Sequence, residues 1–260
     1  MHTRPMQLCD LPYTATISAN AFKSDSDFNT IFPRLHDYPE DFRTFFLRRH
    51  KRLLNQGGAV GRVAVADDND PQEEGTIIGV AFWERVGDGE AAQAWKYQGL
   101  DVAVERGLMY LGELYFNVFV GNRSADEKRV ATYYASIEIN FLRESCKEYW
   151  YLQHLAVDPA YQRRGAGQLL TKWGIEKARR EGCCAALDAS EVGRPMYEKL
   201  GFQIVKVIPG DVTGVGSLPI MVWQPKDCPE NWVGQAQQAA EKQKYKEEVT
   251  GRECGASEDS

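Results

Sequence analysis

Leu155-Ala156-Val157-Asp158-Pro159, followed by Gln162-Arg163-Arg164-Gly165-Ala166-Gly167, decides how this chain is read. The first five residues read as a buried strand running into a turn. The next six read as a glycine-rich loop that opens a helix from Gly167 to Glu181. The first N–H groups of a helix lack carbonyl partners, and the helix dipole favours negative charge there. Gly165 and Gly167 let the backbone approach an anion with no Cβ in the way. Arg163 and Arg164 add positive charge. The backbone from Arg163 to Gln168, Ala166 included, therefore reads as a phosphate-binding turn. The spacing is not the G-x-G-x-x-G of a dinucleotide fingerprint, and no acidic ribose ligand follows at the usual distance.

Outward from this loop, Tyr149 to Val157 reads as the central strand. Downstream, Ala185 to Ala189 reads as a buried strand, and Pro195 fits the first turn of a short helix whose left-handed cap is Gly201. Gln203 to Ile208 and Leu218 to Trp223 read as the last two strands. Upstream, Leu11 to Phe22 reads as a helix, a turn-rich stretch follows with Asp25-Ser26-Asp27 and Pro33, and Pro39 to Asn55 reads as a second helix with Phe42, Phe45, Phe46 and Leu53 on its buried side. Val60 to Ala66 and Ile77 to Glu84 read as an antiparallel pair.

Residues 87–148 are expected to hold two more helices. One carries Val104, Leu108, Leu111, Tyr115 and Phe119. The other opens at a Ser124-x-x-Glu127 capping box and repeats Val130, Tyr134, Ile137 and Phe141. This insert reads as extra core, as a wall for an acceptor pocket, or as both. From Lys226 the composition shifts to Gln, Lys and Glu, which predicts a solvated helix over 235–248 and a mobile end. The expected division is one α/β domain over 1–225, with the insert at 87–148, and a polar tail over 226–260.

A net charge of −6 argues against the basic stripe that nucleic acid requires. No apolar run is long enough to span a bilayer. The first ten residues lack the apolar centre of a secretory signal, so a cytoplasmic location is expected. The six cysteines show no metal spacing and the four histidines do not group with them, so reduced thiols and no metal are expected.

Two blocks resemble the GNAT superfamily of N-acetyltransferases. One is Gln162-x-x-Gly165-x-Gly167 after Leu155-Ala156-Val157. The other is Ala189-Ser190, then Gly193-Arg194-Pro195-Met196-Tyr197-Glu198-Lys199-Leu200-Gly201-Phe202. Their form is closest to GNAT-like proteins of filamentous fungi. The resemblance implies the GNAT fold, a mixed twisted sheet flanked by helices. It implies acetyl-CoA as donor and direct transfer to an amine in a ternary complex. The aromatic residues near the expected pocket, Phe82, Trp83, Trp95, Tyr115, Tyr133, Tyr134, Trp150 and Tyr151, lean toward a small, partly apolar acceptor.

It further implies that strand 149–157 splays from its neighbour. The pantetheine arm would then bond the backbone of Leu155, Ala156 and Val157, while Gln162 to Gln168 hold the pyrophosphate. Tyr197 aligns with the family tyrosine near the sulfur and would protonate the leaving thiolate, unless it only packs its helix. Ser190 either touches the ligand or caps a helix. His154 has a suitable pKa for a general base. Strand alternation, however, puts it on the face opposite Tyr151, Gln153 and Leu155. Glu84, Glu138 or a water chain are alternatives. An acyl-CoA sensor without turnover, a protein N-acetyltransferase and a nucleotide-binding regulatory protein are the rival readings, and the oligomeric state stays open.

Overall fold

The computed structural model describes residues 1–67, 75–96, 112, 121–137, 140–228 and 230–242. Seven strands make one mixed sheet: β1 (His2–Pro5), β2 (Ala59–Val65), β3 (Ile77–Val86), β4 (Tyr149–Val157), β5 (Cys184–Asp188), β6 (Gln203–Ile208) and β7 (Leu218–Trp223). Their spatial order is β1-β2-β3-β4-β5-β7-β6. Among the described strands only β4 and β5 pair in parallel. Parallel neighbours need a crossover, and the Gly165-led helix supplies it.

The described helices are α1 (Leu11–Phe22), α2 (Ser26–Ile31), α3 (Pro39–Leu54), α4 (Glu90–Lys96), α5 (Glu127–Ser136), α6 (Asn140–Ser145), α7 (Ala166–Glu181), α8 (Arg194–Lys199) and α9 (Gly210–Thr213). A further helix, α10, runs over 232–242. Helix α7 lies on one face of the sheet, over Trp83, Trp150, Leu152 and Leu187. A Cβ at Gly174 would overlap the Trp83 indole, so the missing side chain is what lets this helix lie flat. The indole Nε1 donates to the Leu170 carbonyl at 3.3 Å and fixes the ring.

On the opposite face α1 and α3 pack Ile17 and Leu53 against Val80, Phe82 and Ala156. A second group of rings, Phe32, Phe42 and Phe46, joins α2 and α3 to Tyr133 of α5. Farther along, Phe141, Val233 and Ala236 cover Ala186 and Val222.

The strand and helix bounds around the glycine-rich loop agree with the sequence to within a residue or two. Elsewhere the structure departs from the expectation, and α2 and α9 lie in stretches that read as turn and loop. Strand β1 was not expected. Its four residues carry little apolar signal, and it is held by pairing to β2 and by Arg4 on Asp10 at 2.6 Å. Helix α4 was not expected either. The cap of α5 is Asp126, not Ser124, because the Ser124 hydroxyl is buried and donates to Asn122 at 2.6 Å. The segment after Lys226 is not simply a solvated tail. Val233, Ala236 and Ala240 are buried, at helical spacing that the Gln-rich composition obscures. The expected helix bearing Val104 and Phe119, and Glu138, lie outside the described residues.

Candidate active site

Strand β4 is built in two halves. From Tyr149 to Leu152 it pairs with β3 on one side and with β5, Cys184 to Leu187, on the other. From Gln153 to Val157 it pairs with β3 alone. The junction holds a bulge. Phe82 faces His154 and Trp83 faces Leu152, so Gln153 is an extra residue on β4. An extra residue reverses the side-chain alternation. His154 therefore lies on the same face as Tyr151, contrary to the expectation from a regular strand.

On the unpaired edge the Val157 carbonyl accepts from Gln162 Nε2 at 3.1 Å. Antiparallel alternation turns the Leu155 backbone the same way. The Ala156 carbonyl instead lies against Gly79 of β3, so Ala156 does not present its backbone to the open edge as expected.

Past this edge the chain turns through Asp158, whose carboxylate accepts from the Ala160 N–H at 3.0 Å. Arg163 has φ +62°, the one non-glycine residue with positive φ among those described. Gly165, at φ +97°, is the N-cap of α7, and a Cβ there would touch nothing. It is glycine for its backbone angle. Gly167 is glycine for a different reason, since Met196 of α8 fills the space beside it at 3.1 Å. The first helical bond runs from Leu169 N–H to Gly165. The N–H groups of Ala166, Gly167 and Gln168 therefore point out of the helix start. Arg163 and Arg164 are exposed beside it, and Arg164 lies 5.1 Å from the Tyr161 ring centre.

Where β4 and β5 part, a cavity of about 270 Å³ opens. Tyr151 and His154 of β4, Asp188 at the end of β5, Ser190 beyond it, and Tyr197 of α8 form one wall. Phe22, Asp25, Asp27 and Phe28 around α2, Arg49 of α3, and Tyr133 with Tyr134 of α5 form the other. Side chains from both faces of the sheet meet here because the sheet is open between them.

The polar groups of this cavity are tightly placed. The Tyr151 hydroxyl donates to Asp188. Burial pushes the Asp188 carboxyl above the usual range, against the hydrogen bond from Tyr151 and the charge of Arg49. Burial and the Asp188 charge also raise the Tyr197 phenol. Ser190 Oγ accepts from the Gly193 N–H at 3.2 Å, so it caps the turn into α8 while lining the cavity. His154 sits 2.8 Å from Ser18 Oγ, which is 3.3 Å from His50 Nε2. Burial, with the His50 and Arg49 charges, holds His154 well below its ordinary range. Glu84 is bonded to the Gln153 amide. Asp188, Asp25 and Arg49 carried no motif. No periodicity or spacing marks them, and only the strand ends and α2 bring them together.

A family model described as the acetyltransferase (GNAT) family matches residues 19–202. The chain belongs to the GNAT family. A protein of Stachybotrys chartarum named as an acetyltransferase is 26% identical over 199 residues, covering 75% of this chain and 77% of that protein. A solved structure from Corynebacterium glutamicum, named histone acetyltransferase HPA2 and related acetyltransferase, matches with a TM-score of 0.54 at 21% identity. It covers 88% of this chain and 98% of that one, and this likeness shows the fold. The chain is thus a GNAT acetyltransferase, of the family that transfers acetyl groups to amines. Among the described residues no group of His, Cys, Asp or Glu is arranged to hold a metal ion, and no helix is long and apolar enough to cross a membrane.

Proposed function

We propose that this GNAT protein moves an acetyl group from acetyl-CoA to the amine of a small molecule, with both substrates bound together. The observation that carries the reading is the end of β4–β5 pairing at Leu152 and Leu187. It leaves a free strand edge between the α7 N-terminus and the cavity. Three features of the chain fit the donor. The α7 start and Arg163 offer N–H groups and positive charge to a pyrophosphate. The Leu155 backbone offers strand-like bonds to an amide-bearing arm. The gap between the strands leads the thioester end toward Tyr197. The ring-lined cavity of about 270 Å³ favours a small acceptor over a protein chain.

Asp188, steadied by Tyr151, takes the proton of the acceptor ammonium. Burial has raised its basicity, whereas His154 is bonded to Ser18 and burial weakens it as a base. The N–C bond forms as the C–S bond breaks. Tyr197 gives its phenolic proton to the departing thiolate. Asp188 passes that first proton to water and takes the second nitrogen proton as the amide forms; this one restores the Tyr197 hydroxyl, so one amide, one thiol and one proton released to water result. An N–H at the Leu155–Val157 edge stabilises the carbonyl oxygen as it gains charge.

The test is release of free thiol from acetyl-CoA with a panel of amines. Tyr197→Phe is expected to lower kcat about ten-fold or more with acetyl-CoA affinity unchanged. An unchanged kcat removes the role of Tyr197. Donor binding with no release from any amine supports a sensor instead of an enzyme.

A further inference from the structure

The acceptor cavity holds three carboxylates and one guanidinium: Asp25, Asp27, Asp188 and Arg49. Each carboxylate has one oxygen engaged. Asp188 Oδ1 accepts from Tyr151. Asp27 Oδ1 accepts from the Gly216 N–H at 3.0 Å. Asp25 Oδ1 accepts from the Asp27 and Phe28 N–H groups at 3.0 and 3.1 Å, as the N-cap of α2. The second oxygens have no hydrogen-bond partner among the described residues. Arg49 is turned elsewhere. It donates to the Gln153 carbonyl at 3.1 Å and stacks 4.9 Å from the centre of the Tyr134 ring.

A second observation is independent of the charges. Tyr133 and Tyr197 are 9% and 6% exposed, and both line this cavity. Neither hydroxyl has a hydrogen-bond partner among the described residues. The two hydroxyl oxygens keep contact with solvent at the cavity and are free to bond a polar molecule held there. Part-buried carboxylates in excess of their counter-charges ask for a cation.

We propose that the acceptor is a compact amine carrying a second positive charge. Its reacting nitrogen lies at Asp188 and its other cation at Asp25 and Asp27. A cavity of about 270 Å³ limits it to a small molecule. This assignment deepens the acetyl-transfer reading and rests on it.

The experiment compares 1,4-diaminobutane with butylamine, which has one charge, and with 4-aminobutanoate, whose carboxylate would seek Arg49. The diamine is expected to give kcat/KM at least about ten-fold above either, the size of a charge-assisted contact. Asp27→Asn and Asp25→Asn keep the oxygens that hold α2 and Gly216. Each is expected to raise KM for the diamine about ten-fold while kcat/KM for butylamine stays within about two-fold. Equal rates with butylamine, or a preference for 4-aminobutanoate, overturn the inference and leave acetyl transfer standing. Calorimetry of the diamine reads binding without turnover. Binding weakened by Asp27→Asn, with no thiol released, upholds the acceptor site and overturns the transfer. No diamine binding overturns the acceptor site.

Discussion

The two faces of this sheet bury their residues to different ends. Under α7 the face is closed by Trp83, Trp150, Leu170 and Ile175, with the indole of Trp83 fitted to the bare backbone of Gly174. Under α1, α2, α3 and α5 the face buries Thr14, Ser18, His50 and His154, and leaves the cavity with its three carboxylates. Apolar burial stabilises the first at about 25 cal/mol per Å². Polar burial on the second costs free energy unless each group is paired. One face holds the strands in place, and the other places reactive groups where β4 and β5 separate.

The contrast is broken most directly at Gly174. Gly174→Val drives a branched side chain into a ring that cannot turn, since the indole is hydrogen-bonded to Leu170. Urea unfolding should show a loss of about 3 kcal/mol or more. A loss below about 1 kcal/mol would mean the α7 face is looser than this packing implies.

The polar face should betray itself through pH. Burial and the Arg49 charge lower His50 to about 3. An unfolded chain binds a proton at this ring below about pH 6.5, which the folded chain does not. The unfolded state therefore gains as pH falls, and stability is lost between about pH 6.5 and pH 3. Near pH 5 the loss should reach about 2 kcal/mol for His50. His154, also lowered, adds to the fall. Urea unfolding at pH 7 and pH 5 measures the difference, and His50→Gln should flatten it. An identical slope in the variant would show that His50 is already charged in the fold.

The smallest effect is expected at the loop between the faces. Gly165→Ala meets no neighbouring atom but must hold φ at +97°. The cost of that angle to a residue with a Cβ is about 1 kcal/mol. Unfolding should register it, and the KM for acetyl-CoA should rise as the α7 start shifts. No change in either would detach Gly165 from donor binding.

Much of the architecture was legible in the residues. The run from Tyr149 to Val157, the turn at Arg163 to Gly165, Pro195 in the first turn of α8, and Gly201 at its left-handed cap all carry local signals. Each depends on a few adjacent residues, so reading along the chain suffices. The apolar stripe of α10 is also local, but its small residues are outweighed by Gln and Glu in any composition window. The side of β4 on which His154 lies is not local. It follows from a mismatch between β3 and β4 that only their register reveals.

The chain by itself determined the α/β order, the helix that starts at Gly165, and the family resemblance, because backbone preference and hydrophobic period act over a few neighbouring residues. Tertiary structure alone decided where β4 loses β5, which face His154 joins, and that Asp25, Asp27 and Asp188 share one cavity. Those outcomes depend on groups far apart in the chain, whose positions are set by strand pairing and helix packing rather than by local preference.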